Sequence, residues 1–204
     1  LPDYVADLEE VDSDEAEDRT ESIAAEFAMK EAVEAIEAAT EIIEIENLDS
    51  DDAADILGEL SDKEIQEVIS QMEDDDAADD IVDLLNYDED TAGGLMQKEF
   101  IQARLDWPVN RALVELRRQA EDVEQVYTIY VIDDLNKLVG VLSLKRLLFA
   151  SPKTPIRDLY EGKNLIFVTT SDSSEKVAKV MEKYDLVSVP VVDLQGKLVG
   201  RITI

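Results

Sequence analysis

The sequence predicts an α plus α/β protein, in which an acidic, α-solenoid-like superhelical domain precedes two repeated α/β modules. In residues 1–86, apolar residues recur at helical spacing and no strand pattern is present. From Phe100 onward, β-rich apolar runs alternate with helical segments. This second part also repeats itself without a gap, which favours two tandem modules packed as one pseudo-symmetric unit.

Composition limits the chemistry that the chain can support. Its 204 residues include 50 acidic and 19 basic side chains and no histidine, for a formal charge of −31. Such a field repels nucleic acid and anionic membranes and attracts cations, although a merely solvated acidic surface explains the charge equally well. Because cysteine and histidine are both absent, disulfides and the usual zinc and copper sites are excluded. A bound metal would therefore be a hard cation held by oxygen atoms.

Several other sequence signals are missing. No apolar run approaches the ~18 residues of a membrane span, and no secretory signal is visible. The chain begins at Leu1 and stops in mid-pattern at Ile204, so we expect a soluble fragment of a longer protein. Nucleophile–base sets, Walker-type loops and Gly-x-Gly-x-x-Gly are lacking too, and we predict that the chain is not an enzyme.

The helical half consists of short helices separated by acidic breaks of the kind that start helices. Its longest periodic run is AAEFAMKEAVEAIEAATEIIEI, from Ala24 to Ile45. The predicted breaks are at residues 12–14, 49–51, 61–62 and 74–76. The segment DDAADILGEL, which starts at Asp51, is echoed 24 positions later by DDAADDIVDLL, which starts at Asp75. Short helices that repeat at this interval favour a solenoid.

The second half carries the strand patterns. Strands are predicted in residues 126–132, 137–144, 165–170, 186–192 and 197–204, and helices near residues 109–119 and 175–184. The segment VIDDLNKLVGVLSL, from Val131, aligns with VVDLQGKLVGRITI, from Val191, at an offset of 60. Gly140 and Gly200 occupy equivalent positions in this repeat and interrupt strands, so we expect a backbone bend or a closely packed neighbour there.

The stretch YDEDTAGGLMQKEF, residues 87–100, joins the two halves. Its acids and glycine partly match a calcium-binding EF-hand loop that would end at Glu99. Ala92 and Met96 stand where that loop needs oxygen ligands, and no helix pattern follows. We therefore favour a joint between domains, in which the two glycines allow a sharp turn and Leu95 and Met96 insert into the following modules.

The repeated modules resemble a pair of CBS (cystathionine-β-synthase-type) domains, on the pattern VPVVDLQGKLVGRITI and its weaker first copy. An acidic helical half followed by YDEDTAGGLM and then by this pair is similar to the cytosolic region of the MgtE family of magnesium channels and transporters. The resemblance implies four parts: a superhelical domain in residues 1–86, a hinge in 87–98, a first CBS domain in 99–152 and a second in 153–204, which lacks its C-terminal end.

The resemblance also implies a function. In the MgtE family the cytosolic region belongs to a homodimer and senses Mg²⁺, which bridges acidic faces and holds the channel shut. On this basis we expect a partner channel domain that the sequence lacks, a homodimer through the CBS pair, no nucleic-acid partner, and a location at the cytoplasmic face of the membrane. The predicted cofactor is Mg²⁺.

Four metal ligands follow from the resemblance. Asp51 and Asp55 match the family's acids in the helical domain, and Glu175 and Asp185 flank the helix of the second CBS domain. Two of them also have a plain structural explanation, since Asp51 could be a helix N-cap and Glu175 a first-turn acid favoured by the helix dipole. A second acidic patch is interpreted mainly as a solvated helix start: Asp74, Asp75, Asp76 and Asp79.

Two alternative functions remain open at the level of sequence. Many CBS pairs bind adenine nucleotides through a Ser or Thr and an Asp that follow the second strand. Ser143 fits this pattern, but Arg146 stands where the Asp is expected. The chain could therefore be a nucleotide sensor, or its acidic helical half could be a protein-interaction scaffold.

Overall fold

The computed structural model describes residues 30, 40–120 and 128–204. The chain forms two compact units, residues 1–45 and 46–204, and the description below concerns the second. Residues 40–46 are helical. The rest of the predicted periodic run from Ala24, except residue 30, and the predicted break at residues 12–14 lie outside the described residues.

Three short helices precede the α/β part: α1 (Ser50–Gly58), α2 (Asp62–Ile69) and α3 (Asp75–Leu84). Two of the predicted breaks are confirmed as helix caps. Ser61 and Glu64 form a reciprocal capping box at the start of α2. At the start of α3, the Asp74 carboxylate accepts hydrogen bonds from two main-chain N–H groups, at 3.0 and 3.1 Å.

The echoed acidic segments form two helices that pack on each other. α1 and α3 each begin with acids and bury an alanine and leucine face against the neighbouring helix. The buried side chains are Ser50, Ala53, Ala54, Leu57, Ala78, Ile81 and Leu84. The predicted helical repeat is thus present in this part of the domain, because the two helices share one apolar stripe.

The α/β part contains two modules with the same order of elements. The first has β1 (Ile101–Arg104), α4 (Val109–Gln119), β2 (Ile129–Ile132), β3 (Leu138–Leu142), α5 (Leu144–Phe149) and a short 3₁₀ helix (Ile156–Asp158). The second has β4 (Val168–Thr169), α6 (Ser174–Tyr184), β5 (Ser188–Val192) and β6 (Leu198–Thr203). In each three-stranded sheet, the middle strand pairs parallel with the first strand and antiparallel with the last.

The internal sequence repeat corresponds to this structural repeat. Val131 pairs with Gly140 in the first sheet, and Val191 pairs with Gly200 in the second. Each sheet also has a register shift just after that pair. The sequence does not predict β1. Only two of its four residues, Ile101 and Ala103, are apolar and buried, and polar residues alternate with them.

The two modules contact each other along their last hairpins. Leu138 N–H donates to the Gly196 carbonyl at 3.0 Å, and Leu198 N–H donates to the Asn136 carbonyl at 3.1 Å. The Tyr130 hydroxyl lies 2.9 Å from the Ser188 hydroxyl, so this buried phenol also links the two sheets. The predicted pseudo-symmetric packing of the modules is confirmed.

The segment that precedes each module forms backbone hydrogen bonds with the last strand of the other module. Gln97, ahead of the first module, exchanges backbone hydrogen bonds of 2.8 and 3.0 Å with Arg201 in β6 of the second. Glu161, ahead of the second module, exchanges bonds of 2.9 and 2.8 Å with Val141 in β3 of the first. Val141 and Arg201 occupy equivalent repeat positions, so the contacts are reciprocal. We call the segments that contain Gln97–Glu99 and Glu161 the lead-in segments of the first and second module.

The stretch at residues 87–100 is anchored to the second module. Ala92 N–H donates to the Asp172 carbonyl at 2.7 Å, and Gly93 N–H donates to the Thr170 carbonyl at 2.9 Å. Met96 is completely buried, whereas Leu95 is 39% exposed, so only the methionine inserts fully. The calcium-loop alternative is disfavoured, because both carboxylate oxygens of Glu99, its last expected ligand, accept hydrogen bonds from Ser50. The role of this stretch as a hinge stays a prediction.

The exchange explains why glycine occupies both strand positions. A Cβ atom on Gly140 would lie 2.4 Å from the Glu161 carbonyl oxygen, and one on Gly200 would lie 2.7 Å from the sulfur of Met96 and 3.0 Å from the Gln97 carbonyl. The expectation of a closely packed neighbour at these glycines is therefore confirmed.

Replacing Gly140 with alanine should lower the free energy of unfolding by about 1–3 kcal/mol, because the crossing backbone of Glu161 must move to make room. Chemical denaturation followed by circular dichroism measures this loss. Gly58→Ala is the matched control, since its added Cβ would lie 3.9 Å from the nearest atoms and alanine favours a helix by about 1 kcal/mol. Equal stability of Gly140→Ala and wild type would contradict the packing argument.

Candidate metal centre

The first turn of α1 holds the most unusual carboxylate among the predicted ligands. Asp51 is half-buried, and its Oδ1 atom is enclosed without a hydrogen-bond partner among the described residues. Asp55 lies one helical turn later and is exposed to solvent. A buried carboxylate oxygen without a donor is costly, so the environment of Asp51 suits a metal ligand.

The acidity of Asp51 reflects this position. Burial raises the pKa of its carboxyl group from 3.8 to about 6, and the nearby negative charges of Asp52 and Glu99 add to the increase. The nearby main-chain N–H groups of Asp52 and Asp51 oppose the rise in pKa without cancelling it. A cation bound at this carboxylate would supply positive charge and so favour its ionised form.

Other carboxylates surround the start of α1. A cleft of about 820 Å³ lies between the helices and the first module, and Lys98 and Arg118 contribute basic side chains to its wall. The acidic residues that line it are Glu46, Asp49, Asp52, Asp74, Asp76, Asp80 and Glu99. Burial raises the pKa of Asp80 and of Glu99 as well. The helices therefore face the first module with more negative charge than the local bases neutralise.

The alternative role of Asp51 as a helix N-cap is wrong. The N-cap of α1 is Asp49, and Asp51 lies within the first turn. Among the described residues, the Asp49 side chain makes no bond to its own helix; it accepts a hydrogen bond of 3.0 Å from Gln97 Nε2 instead. The start of α1 is capped by Glu99, which lies 49 positions away in sequence.

Glu99 is the residue of this cleft whose contacts the sequence does not predict. Its Oε1 accepts from Ser50 N–H at 3.0 Å, and its Oε2 accepts from the Ser50 hydroxyl at 2.9 Å. Local spacing assigns this glutamate to the end of a loop, and no local signal links it to a serine so far away. Only the tertiary fold reveals the pairing.

The two predicted ligands on the second module lie at opposite ends of α6. Glu175 is exposed in the first turn and forms an ion pair of 2.6 Å with Lys179. Asp185 is the C-cap residue, is exposed, and has left-handed backbone with φ of 52°. Ten residues of helix separate them by roughly 15 Å. Ligands of one Mg²⁺ lie within about 4 Å of each other, so Glu175 and Asp185 would serve different ions.

The structure thus brings Asp51 and Asp55 onto one helix and separates Glu175 from Asp185. In residues 40–120 and 128–204, together with residue 30, no group of three or more carboxylates is arranged to hold a metal ion. The patch at Asp74 is a solvated helix start as expected, with Asp74 as the cap and Asp75, Asp76 and Asp79 exposed.

The positions expected to bind a nucleotide lie at the start of α5. Ser143 is the N-cap of this helix, and its hydroxyl accepts a hydrogen bond of 3.3 Å from Arg146 N–H. The Arg146 guanidinium is exposed and lies 3.6 Å from a carboxylate oxygen of Glu161. The serine is therefore presented as the pattern requires, while the arginine pairs with the neighbouring lead-in segment.

Comparison with known families agrees with this architecture. The CBS domain family matches residues 92–153 and 156–204, which is more than half of the chain. The family of the MgtE intracellular N domain matches residues 6–90. The fold and its two repeated modules therefore define a CBS-domain protein. With the N domain in front of the pair, the chain belongs to the MgtE family.

Individual relatives support the assignment. The magnesium transporter MgtE of Thermus thermophilus is 43% identical over 121 residues, which cover 59% of this chain and 27% of the transporter. A crystal structure of the cytosolic domain of the Mg²⁺ channel MgtE in complex with ATP is 38% identical, with a TM-score of 0.71, and the match covers 78% of this chain and 64% of that one. The soluble part of a magnesium transporter is 32% identical, with a TM-score of 0.74, over 82% of this chain and 64% of the other.

The chain spans about a quarter of the length of the curated transporters that it matches. Within the described ranges, every helix is too short or too polar to cross a membrane. The comparisons thus concern the N domain and the CBS pair.

Asp51→Asn should stabilise the protein at neutral pH. Since the folded pKa is raised, the folded state keeps a proton that the unfolded chain loses between pH 4 and 6, and stability falls as pH rises through this range. After allowance for solvent screening, the substitution should add on the order of 1 kcal/mol at pH 7, or about 2–4 °C in Tm. The gain should vanish below about pH 4, where both states are protonated.

Thermal unfolding of wild type and Asp51→Asn at several pH values, without divalent ions, measures this difference. Asp75→Asn, at the echoed and exposed position on α3, is the matched control and should show no pH-dependent gain. A gain for Asp51→Asn that is equal at pH 4 and pH 7 would rule out the burial of its charge as the cause.

Proposed function

We propose that this chain is the Mg²⁺-sensing regulatory part of a homodimeric magnesium channel or transporter and that it works on the cytosolic side of the membrane. The single observation that carries the sensing role is the enclosed, unpartnered oxygen of Asp51 in a chain of the MgtE family. The names of the relatives, which are magnesium transporters and the cytosolic domain of a channel, support the transport context.

The proposed switch is electrostatic. At ~4 Å, two carboxylates repel by about 4 kcal/mol with surface-like screening, before salt reduces this further. Without a cation, the acidic helices and the CBS pair therefore disfavour close approach. Mg²⁺ supplies positive charge between them, and its preference for oxygen ligands and retained water suits scattered carboxylates better than a dedicated cage. Bound ions would then favour the closed arrangement and a shut pore.

Asp51 and Asp55 are the proposed ligands on the N domain, and Glu175 and Asp185 are the proposed ligands on the second CBS domain. Asp51 fits the ion because its oxygen lacks a donor, and Asp55 fits because its exposed carboxylate can approach from the same helix. At Glu175, Mg²⁺ would have to displace the Lys179 ammonium, so binding there would need a higher Mg²⁺ concentration than at a carboxylate without an ion pair. These residues would belong to more than one ion, since α6 separates the last two.

The proposed partners are a second copy of the chain and the channel domain of the longer relatives. The CBS pair exposes apolar side chains at the end of α5, with Leu148 58% and Phe149 85% exposed. Val187, next to α6, is exposed as well. Burying such side chains against a second copy would remove them from water, which supports a dimer through the CBS pair.

A second candidate function is adenine-nucleotide binding by the CBS pair. The observation that favours it is the related cytosolic domain, solved in complex with ATP, at 38% identity. In this chain Ser143 could hold the nucleotide, and Arg146 would have to replace the acid that family patterns place against the ribose.

Millimolar Mg²⁺ should make the chain more compact and more resistant to protease, since the ion removes repulsion between the acidic faces. The double variant Asp51→Asn, Asp55→Asn should lose most of this response. Sedimentation velocity at increasing Mg²⁺ measures the compaction, and the same runs give the mass of a monomer or a dimer.

The control is Asp75→Asn, Asp79→Asn, which removes two acids at the same spacing from the echoed helix. It should compact as wild type does. An identical Mg²⁺ response in both double variants would exclude Asp51 and Asp55 as ligands, and a monomer at micromolar concentration would remove the homodimer from the proposal.

If the nucleotide binds as the family pattern suggests, Arg146→Asp should bind ATP about tenfold more tightly than Arg146→Ala. The introduced carboxylate would accept hydrogen bonds from the ribose, which alanine cannot do. Isothermal titration calorimetry measures both affinities. Equal affinity of the two variants would show that the ribose is held elsewhere, and no heat with any variant would exclude this candidate function.

A further inference from the structure

A cluster of buried hydrogen bonds joins α1 to the CBS pair without any metal. We call it the clasp, and it consists of Asp49, Ser50, Gln97, Lys98, Glu99 and Thr203. Ser50 is 4% exposed and Gln97 is 3% exposed, so these polar groups lie in the interior. Buried polar groups are costly unless they are paired, and here the partners come from three separate parts of the chain.

Ser50 is the first centre of the clasp. Its N–H and hydroxyl groups both donate to the Glu99 carboxylate, and its hydroxyl oxygen accepts from Lys98 N–H at 2.8 Å. The first residue of α1 thus uses each of its free donors on the lead-in segment. The Lys98 ammonium in turn forms an ion pair with Asp83, so α3 is attached to the same segment.

Gln97 is the second centre, and it connects both ends of the structure. Its amide nitrogen donates to Asp49 Oδ2 at 3.0 Å, and its amide oxygen accepts from the Thr203 hydroxyl at 3.1 Å. Asp49 is the N-cap residue of α1, and Thr203 is the last residue of β6. One buried amide therefore links the start of α1 to the end of the last strand.

We infer that the clasp is a metal-independent latch and that Gln97 is its positioning residue, which couples α1 to β6 and sets the Mg²⁺ concentration at which the domains close. This inference rests on the proposed function for the Mg²⁺ part alone. Ser50 of the clasp and the proposed ligand Asp51 are adjacent in the first turn of α1, so order imposed on this turn by the clasp would favour ion binding, and the reverse. Weakening the clasp must then raise the Mg²⁺ concentration needed for closure.

The decisive variant is Thr203→Val, which keeps the shape of the side chain and removes the hydroxyl that donates to Gln97. Hydrogen exchange is measured in EDTA, where no Mg²⁺ contributes. The inference predicts severalfold faster exchange of the amides in residues 50–58, although residue 203 is outside that helix. If the Thr203 hydroxyl had only a local role, its loss would leave the exchange of these distant amides unchanged. Wild-type exchange rates in α1 of Thr203→Val would therefore overturn the inference.

Ser50→Ala provides a stronger test, and Ser61→Ala is its matched control. Both remove a serine hydroxyl from a helix start, but Ser61 bonds only Glu64 of its own exposed helix. Ser50→Ala should raise exchange of α1 about tenfold and shift the Mg²⁺ midpoint of compaction upward by threefold or more, while Ser61→Ala should leave the midpoint unchanged. Equal midpoints for Ser50→Ala and wild type would show that the latch does not bias closure.

The two levels of the proposal fail separately. If the wild type does not compact in Mg²⁺, the sensing function is wrong, whereas the exchange measured in EDTA still decides whether the latch exists. If Ser50→Ala does not fold, Thr203→Val decides alone, because it removes one hydrogen bond and no volume.

Discussion

The backbone pairing of Gln97 with Arg201 is the contact on which the remaining arrangement depends. It fixes the segment ahead of the first module against the last strand of the second, and it places the Gln97 side chain between Asp49 and Thr203. The mirror contact of Glu161 with Val141 completes the exchange. Because each lead-in segment pairs with the other module, the two modules are held together by main-chain hydrogen bonds as well as by their apolar interface.

This pairing determines which acidic side chains are held away from water. A chain with a formal charge of −31 could carry its acids on mobile surfaces, where water and salt would screen them. Here the lead-in segment holds α1 beside Glu99, and the Asp51 carboxylate is partly removed from water with its pKa raised to about 6. Repulsion becomes useful for switching only when the structure prevents the charges from moving apart freely.

Local patterns predict most of the helices and strands but not the contacts between them. Helix α4 has the predicted bounds, the echoed acidic segments became α1 and α3, and the offset of 60 located the two modules. Strand β1 was missed because its outer residues are polar, and Asp51 was wrongly allowed as an N-cap because Asp49 and Ser50 are equally acceptable helix starters. Glu99 could not be assigned, since its partner lies 49 positions away. The four proposed metal ligands rest on resemblance and on the environment of Asp51.

The bond between Gln97 and Thr203 also has a consequence for synthesis. Its partners are 106 positions apart, so it cannot form until the end of β6 has left the ribosome. At typical rates of translation this takes roughly 5–20 s after Gln97 itself has left the ribosome. During that interval the nascent acidic helices have no partner strand and depend on their charge to stay apart from other chains. The formal charge of −31 would then protect the unfinished chain from aggregation.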